Sequence, residues 1–296
     1  VNGVPAGAPP LRLRGRELAG PVVMAVVNRT PDSFYASARY DEHGARDAVA
    51  LAADEGAAIV DVGGVRAGRG PEVSAAEEIA RVAPLVAHVR RAHPDLLVSV
   101  DTWRAEVASA VADEGADLVN DTWAGHDRRL VEVAAERGLG VVVSHTGGVR
   151  PRTDPFRVQY GASLDGVLDD VVAALSAGAA RAMGLGIDPA SVLLDPTHDF
   201  GKNTWHSLHL VRRTEALVAL GHPVLMALSR KDFVGETLGL PVDERLEGTL
   251  AATAVAAWLG ARVFRTHDVA ATRRVLDMVA SVRGERAPAS AVRGLV

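Results

Sequence analysis

Short apolar runs alternate along the chain with longer segments of helical spacing. The first run, residues 22–28, carries Val22, Val23, Val26 and Val27, a β-branched pattern that predicts a strand buried on both faces. It ends in Asn28 and opens into a polar loop with Thr30, Asp32 and Ser33. Residues 44–56 follow, with Ala48, Val49, Leu51 and Ala52 at helical spacing. The pattern then recurs, with strands predicted at 58–64, 96–101, 117–120, 140–145, 191–195, 223–229 and 261–265. Helices are predicted over about 74–92, 104–114, 127–137, 160–184, 207–220, 244–259 and 269–282. Ser74 reads as the N-cap of the second helix, with Glu77 as its capping-box partner. Three helix ends share a glycine-alanine junction, at Gly56-Ala57, Gly115-Ala116 and Gly260-Ala261. Glycine suits the left-handed residue just past a helix C-terminus.

Eight strand-then-helix units predict an α/β fold, a single-domain (β/α)8 TIM barrel, in preference to an open doubly wound sheet. The barrel is expected over residues 21–285. Residues 1–20 are expected to form a loose leader or short lip strand, and residues 286–296 a C-terminal tail.

Composition narrows the function classes. The chain is 48% hydrophobic and only 4% aromatic, so Ala, Val and Leu build an ample core. A net charge of −5 disfavours a nucleic-acid surface. The absence of cysteine removes disulfides, thiolate metal sites and cysteine nucleophiles together. No apolar run reaches the ~18–20 residues of a membrane span. The first twenty residues carry no signal core, and a cytoplasmic location is expected.

In a barrel of this kind the C-terminal strand ends converge on one mouth. The residues predicted there are Asn28, Asp61, Asp101, Asn120, His145, Asp195, Ser229 with Lys231, and Arg265 with His267. All eight ends are polar, which predicts a site. Asp101, Asn120 and Asp195 offer carboxylate and amide groups for the N–H and carbonyl edge of a flat heterocycle. Lys231, Arg265 and His267 are expected to supply positive donors on the far side of the barrel, which suits phosphate or diphosphate. Asn28 and Asp32 can add oxygen ligands for Mg2+. These residues leave a nucleotide-like and a pterin diphosphate ligand equally open. His145, His198, Asp199 and His206 match no zinc-binding spacing.

The same residues carry a family resemblance. Asn28-Arg29-Thr30-Pro31-Asp32-Ser33-Phe34, Asp61-Val62-Gly63-Gly64, Ser99-Val100-Asp101-Thr102, Asn120-Asp121, Asp195-Pro196 with Phe200-Gly201-Lys202, Ser229-Arg230-Lys231 and Arg265-Thr266-His267-Asp268 stand in order from residue 28 to 268. In these motifs the chain resembles dihydropteroate synthase, the folate-pathway barrel that joins 6-hydroxymethyl-7,8-dihydropterin diphosphate to p-aminobenzoate. The resemblance implies that Asp101, Asn120, Asp195 and Lys231 hold the pterin. It implies that Asn28, Arg265 and His267 meet the diphosphate, with Mg2+ at Asn28. Catalytic work would fall to Asp32, Lys231, Arg265 and His267, and the p-aminobenzoate carboxylate to Ser229 with Arg66 or Arg69. A homodimer through the last helices is also implied.

The chain departs from the pattern in the acceptor half. The usual Gly-Gly-Glu-Ser-Thr-Arg-Pro loop is here Val65-Arg66-Ala67-Gly68-Arg69-Gly70 after the two glycines, so the threonine has become Ala67 and the arginine Gly68. Met-His-Met has become Ser144-His145-Thr146, and a glycine-rich Asp-Pro-Gly-x-Gly-Phe has become Asp195-Pro196-Thr197-His198-Asp199-Phe200. Three readings follow: a dihydropteroate synthase-like transferase with a remodelled acceptor loop, a diverged paralogue that binds a pterin-like ligand as a binding or regulatory protein, and a methyltetrahydrofolate-dependent methyltransferase. The retained Asn28–Phe34 and Ser229–Lys231 motifs argue against the last.

Overall fold

The computed structural model describes residues 9–29, 42–153 and 158–294. A hairpin of β1 (Leu11–Leu13) and β2 (Arg16–Leu18) comes first. The barrel strands are β3 (Val22–Asn28), β4 (Ile59–Gly63), β5 (Leu97–Asp101), β6 (Leu118–Asp121), β7 (Gly140–Ser144), β8 (Val192–Asp195), β9 (Leu225–Met226) and β10 (Val263–Thr266). Between and after them lie α1 (Glu42–Asp54), α2 (Ala75–Ala92), α3 (Ala105–Asp113), α4 (Arg129–Glu136), α5 (Asp165–Gly184), α6 (Thr204–Arg212), α7 (Thr214–Val218), α8 (Asp232–Leu238), α9 (Leu246–Trp258) and α10 (Val269–Val282). All barrel neighbours pair in parallel, in the order β8-β7-β6-β5-β4-β3-β10-β9. A parallel bridge between Leu194 and Val224 joins β8 to the β9 segment and closes the ring. The eightfold barrel read from the alternation is the observed fold.

Strand periodicity sorts the residues into two cores. Val23, Ala25, Val27, Val60, Val98 and Phe264 face outward and pack on the helices. Val22, Met24, Ile59, Leu97, Leu118, Val142, Leu193, Leu225 and Val263 face inward and fill the base of the barrel. Leu11 and Leu13 of the hairpin belong to this second core and are essentially fully buried. Of the two expectations for residues 1–20, the short strand fits better from Leu11 on: the hairpin plugs the N-terminal end of the barrel, and the boundary drawn at residue 20 cuts through one packing unit.

Helix ends follow their local chemistry. The Ser74 Oγ accepts from the Glu77 N–H at 3.2 Å. Gly56, Gly115 and Gly260 have φ of +92°, +96° and +98°, as the junction pattern requires. Two differences stand out against the expected helices. The helix expected over 207–220 is split into α6 and α7, and the Thr214 Oγ1 bonds back to the Val211 carbonyl at 2.8 Å just past the break. Helix α8 was absent from the expected set; it spans seven residues and contains Gly235, too short to register as a periodic run. No helix among the described residues is long and apolar enough to cross a membrane.

Candidate functional site

Two residues beyond the apolar inward positions, the same strand faces turn polar. Ile59, Leu97, Leu118, Leu193 and Val263 are followed at i+2 by Asp61, Ser99, Asn120, Asp195 and Arg265. Asp61 is fully buried at the centre of this layer. Its Oδ1 accepts from the Ser99 Oγ at 2.6 Å, and its Oδ2 from the Asn120 Nδ2 at 3.1 Å and the Arg265 Nε at 2.6 Å. Asp61 was legible as a strand-end residue but not as the hub of the site. Only barrel closure brings β4, β5, β6 and β10 around it.

Arg265 reaches onward, its Nη2 donating to the Asp101 Oδ2 at 3.0 Å, while the Thr122 Oγ1 donates to the Asp101 Oδ1 at 2.9 Å. Burial pushes the Asp101 carboxyl up to about 7, with Arg265 opposing and Asp61 adding to the rise. Near neutrality Asp101 can therefore accept or donate a hydrogen bond. Among the described residues, the buried Asn120 Oδ1 has no hydrogen-bond partner. It is an open acceptor beside a titrating carboxyl. Three of the expected ring-side or diphosphate residues, Asp101, Asn120 and Arg265, are thus brought together through Asp61.

Asp195 closes the set from β8. Its Oδ1 accepts from the Thr197 N–H at 2.7 Å, and burial raises its carboxyl while Lys231, Lys202 and Arg265 hold it down. The loop that follows keeps glycine-like backbone with bulkier residues, at Thr197 (φ +52°) and Asp199 (φ +70°). Such angles are costly away from glycine and persist only when neighbours enforce them. The neighbours are visible. The buried Lys202 ammonium donates to the carbonyls of His145, Thr197 and Phe200 at 2.7, 3.1 and 2.9 Å. The Tyr160 hydroxyl donates to the Gly201 carbonyl at 2.7 Å. The Asp199 carboxylate caps α8, accepting from the Asp232 N–H at 2.7 Å. Lys231, just before α8, donates to the His198 carbonyl at 3.0 Å and lies 4.4 Å from the Phe200 ring centroid. Burial lowers its pKa, opposed by Asp199 and Asp195.

The remaining expected residues divide. The Ser229 Oγ pairs with the His267 Nδ1 at 3.0 Å. Burial, helped by Arg265, lowers His267 to about 4, so it is a neutral donor or acceptor at pH 7 and not the cation the sequence suggested. Asn28 ends β3 with its Oδ1 against Gly63, 2.8 Å from where a Cβ would stand. Arg66 folds back on its own loop, its Nε 3.3 Å from the corresponding position of Gly68, and Arg69 is exposed. Asp32 lies outside the described residues. The loop after β4 is held from across the mouth by Arg152, whose Nε donates to the Gly68 carbonyl at 3.2 Å and Nη1 to the Pro71 carbonyl at 2.8 Å. Arg152 and Tyr160 carried no sequence signal. His145 pairs with Asp170 at 2.7 Å and is lowered to about 4, chiefly by burial. His198 is fully buried, and neither ring nitrogen has a hydrogen-bond partner among the described residues.

Asn28 presents a single neutral amide oxygen, which fits Mg2+ arriving with substrate phosphates. Among the described residues there is no group of three or more His, Asp or Glu that could hold a metal unaided.

Comparison with known proteins adds four findings. The model of the pterin-binding enzyme family, described as "Pterin binding enzyme", matches residues 24–267. A Mycobacterium leprae (strain TN) protein named "Inactive dihydropteroate synthase 2" is 57% identical over 286 residues, covering 96% of this chain and 98% of that one. The dihydropteroate synthase of Bacillus subtilis (strain 168) is 35% identical over 264 residues, 87% of each chain. Among solved structures, a dihydropteroate synthase from Coxiella burnetii in complex with pteroic acid superposes with a TM-score of 0.83 at 31% identity, covering 93% of this chain and 98% of that one.

Proposed function

Because the chain belongs to the pterin-binding enzyme family, we propose that it is a diverged dihydropteroate synthase-like protein that binds a pterin-type ring and does not condense it with p-aminobenzoate. The observation that carries the ring half is the buried layer of Asp61, Ser99, Asn120, Asp195 and Arg265, with the Asn120 Oδ1 open and Asp195 oriented by Thr197. An amino-pyrimidinone edge offers N–H donors to the Asp195 carboxylate and the Asn120 oxygen. Asp101 adds a carboxyl able to donate or accept near pH 7. Arg265 keeps the buried carboxylates compensated, so a neutral ring enters without an unpaired charge.

The diphosphate of such a ligand would lie toward Asn28, Arg265 and His267. Mg2+, held by Asn28 and the phosphates, would neutralise their charge. His267, as a neutral imidazole, contributes a hydrogen bond without net charge. In the acceptor half, Ala67 and Gly68 stand where the family has its threonine and arginine. The loss of that pair, together with the Mycobacterium leprae relative's name, favours the paralogue over a working synthase. Retention of Asn28, Asp195, Lys231, Arg265 and His267 and the Bacillus subtilis relative favour the synthase reading.

One incubation separates the two. Purified protein with 6-hydroxymethyl-7,8-dihydropterin diphosphate, Mg2+ and p-aminobenzoate is expected to yield no dihydropteroate above a boiled control. Product formation would restore the synthase reading. A cytoplasmic homodimer is part of the proposal. Exposed Val255 and Trp258 on α9 and Met278 and Val282 on α10 offer an apolar face for a second copy, and sedimentation equilibrium reads the mass directly.

A further inference from the structure

Lysine is almost absent from this chain. Of its 32 basic Lys and Arg side chains only two are lysines, Lys202 and Lys231. Every other cation is an arginine, and both lysines lie at the strand-end site. Lys231 has a place in the ring reading; Lys202 does not. Yet Lys202 is the more deeply buried of the two, at 2% exposure.

We propose that Lys202 is a positioning residue of the ring site: its ammonium fastens the loops after β7 and β8 together, so that Asp195 meets the ring as an oriented carboxylate. The proposal rests on the ring-binding reading above. Its geometry is a carbonyl cage. Three N–H donors meet three carbonyls, His145 at the end of β7 and Thr197 and Phe200 in the next loop. The Thr197 N–H holds the Asp195 Oδ1, so the residue tied to Lys202 through its carbonyl orients the carboxylate through its amide. The Phe200 carbonyl is tied in the same way, and its ring sits edge-on to Trp123 at 5.2 Å and under Lys231. An ammonium is a compact point donor, whereas a guanidinium spreads five donors in a plane and cannot converge on three carbonyls around one atom.

The charges facing Lys202 are Asp195 on β8, Asp199 in the same loop, Asp170 on α5 and Lys231 before α8. The titratable imidazoles facing it are His145 after β7, His198 in the loop and His206 on α6, all three with pKa lowered chiefly by burial. Burial lowers Lys202 to about 7, with Asp195 the strongest opposing charge. A neutral amine keeps two donors for three carbonyls, so the cage loosens as the proton leaves.

Calorimetry with 6-hydroxymethyl-7,8-dihydropterin as probe, on the wild type and on Lys202→Met, tests this from about pH 6 to about pH 9. The wild type is expected to bind at least about tenfold more weakly at the alkaline end, and Lys202→Met to bind at least about tenfold more weakly at the acid end without that step. Asp101 titrates in the same range, so the difference between the two proteins is what is read. A folded Lys202→Met with wild-type affinity and the wild-type pH step overturns the proposal and leaves the ring reading standing. No heat from the wild type at any pH overturns the ring reading, and the proposal with it.

A second measurement needs no stable variant. Lysine-selective isotope labelling gives two ammonium signals in this chain. Reciprocity requires that, if protonation tightens ring binding, the ring raises the Lys202 titration midpoint by the same factor. A cation that merely holds the fold together is not shifted by the ring. An upward move is expected; a midpoint that stays or falls overturns the proposal.

Discussion

Substituting Asp61 separates charge from geometry at the centre of the site. In Asp61→Asn an amide oxygen at Oδ2 still accepts from Asn120 and Arg265, and an amide nitrogen at Oδ1 can donate to the Ser99 hydroxyl, which rotates to suit. Only the charge is lost, and Arg265 retains Asp101 at 3.0 Å. A hydrogen bond to a charged group is worth more than a neutral one, so this variant is expected to cost about 1–2 kcal/mol. Asp61→Ala removes every acceptor at once. Ser99 and Asn120 lose their partner, and Arg265 loses its closer carboxylate at 2.6 Å. The expected cost is about 3–5 kcal/mol, the range for breaking a buried ion pair by removing one partner. Urea unfolding at neutral pH reads both values. Asp101 gives a second readout. Its folded pKa, about 7, lies above the unfolded carboxylate value, so its stabilising contribution is present in acid and lost as pH rises through 7. Asp61 is one of the charges holding it up, and Asp61→Asn should flatten that loss. An Asp61→Ala protein within about 1 kcal/mol of wild type, or costs equal in the two variants, would refute the hub assignment.

Further expectations follow from the same packing. Leu13→Ala should destabilise by about 2–5 kcal/mol, since it opens a cavity in the plugged base of the barrel; a negligible shift in the urea midpoint would show that the hairpin is ornamental. His198→Leu should stabilise by about 1–3 kcal/mol, because it removes two buried ring nitrogens that have no hydrogen-bond partner among the described residues. The His198 pKa is depressed in the fold, so its contribution is present above the ordinary histidine value and lost as pH falls. The leucine variant should therefore unfold less readily in acid, and an unchanged acid limb of the stability curve would contradict the reasoning.

How much was legible in the sequence depended on chain distance. The barrel was readable because each strand and helix declares itself within a local window. The polar mouth was readable because strand ends are local too. What the partners do to one another was not. Asp61 meets Ser99, Asn120 and Arg265 across 38, 59 and 204 residues, and no periodicity reports such pairs. The sign of His267 was misread for a related reason, since burial by the closed barrel, helped by Arg265, keeps it neutral. The β1–β2 hairpin was legible only as the alternative of a short lip strand, because three-residue strands are too short to fix a period, although Leu11 and Leu13 alternate with arginines. Lys202 did carry a signal, its rarity among 32 basic residues, which shows once each basic position is compared with the others.

Ring binding is expected to survive in this chain although its acceptor loop has changed. Its most direct test is calorimetric titration of wild type and Asp195→Ala with 6-hydroxymethyl-7,8-dihydropterin diphosphate and Mg2+. Saturable heat is expected from the wild type and none from Asp195→Ala, which lacks the proposed ring partner. Absence of heat from the wild type, or equal affinity in the two proteins, would contradict it.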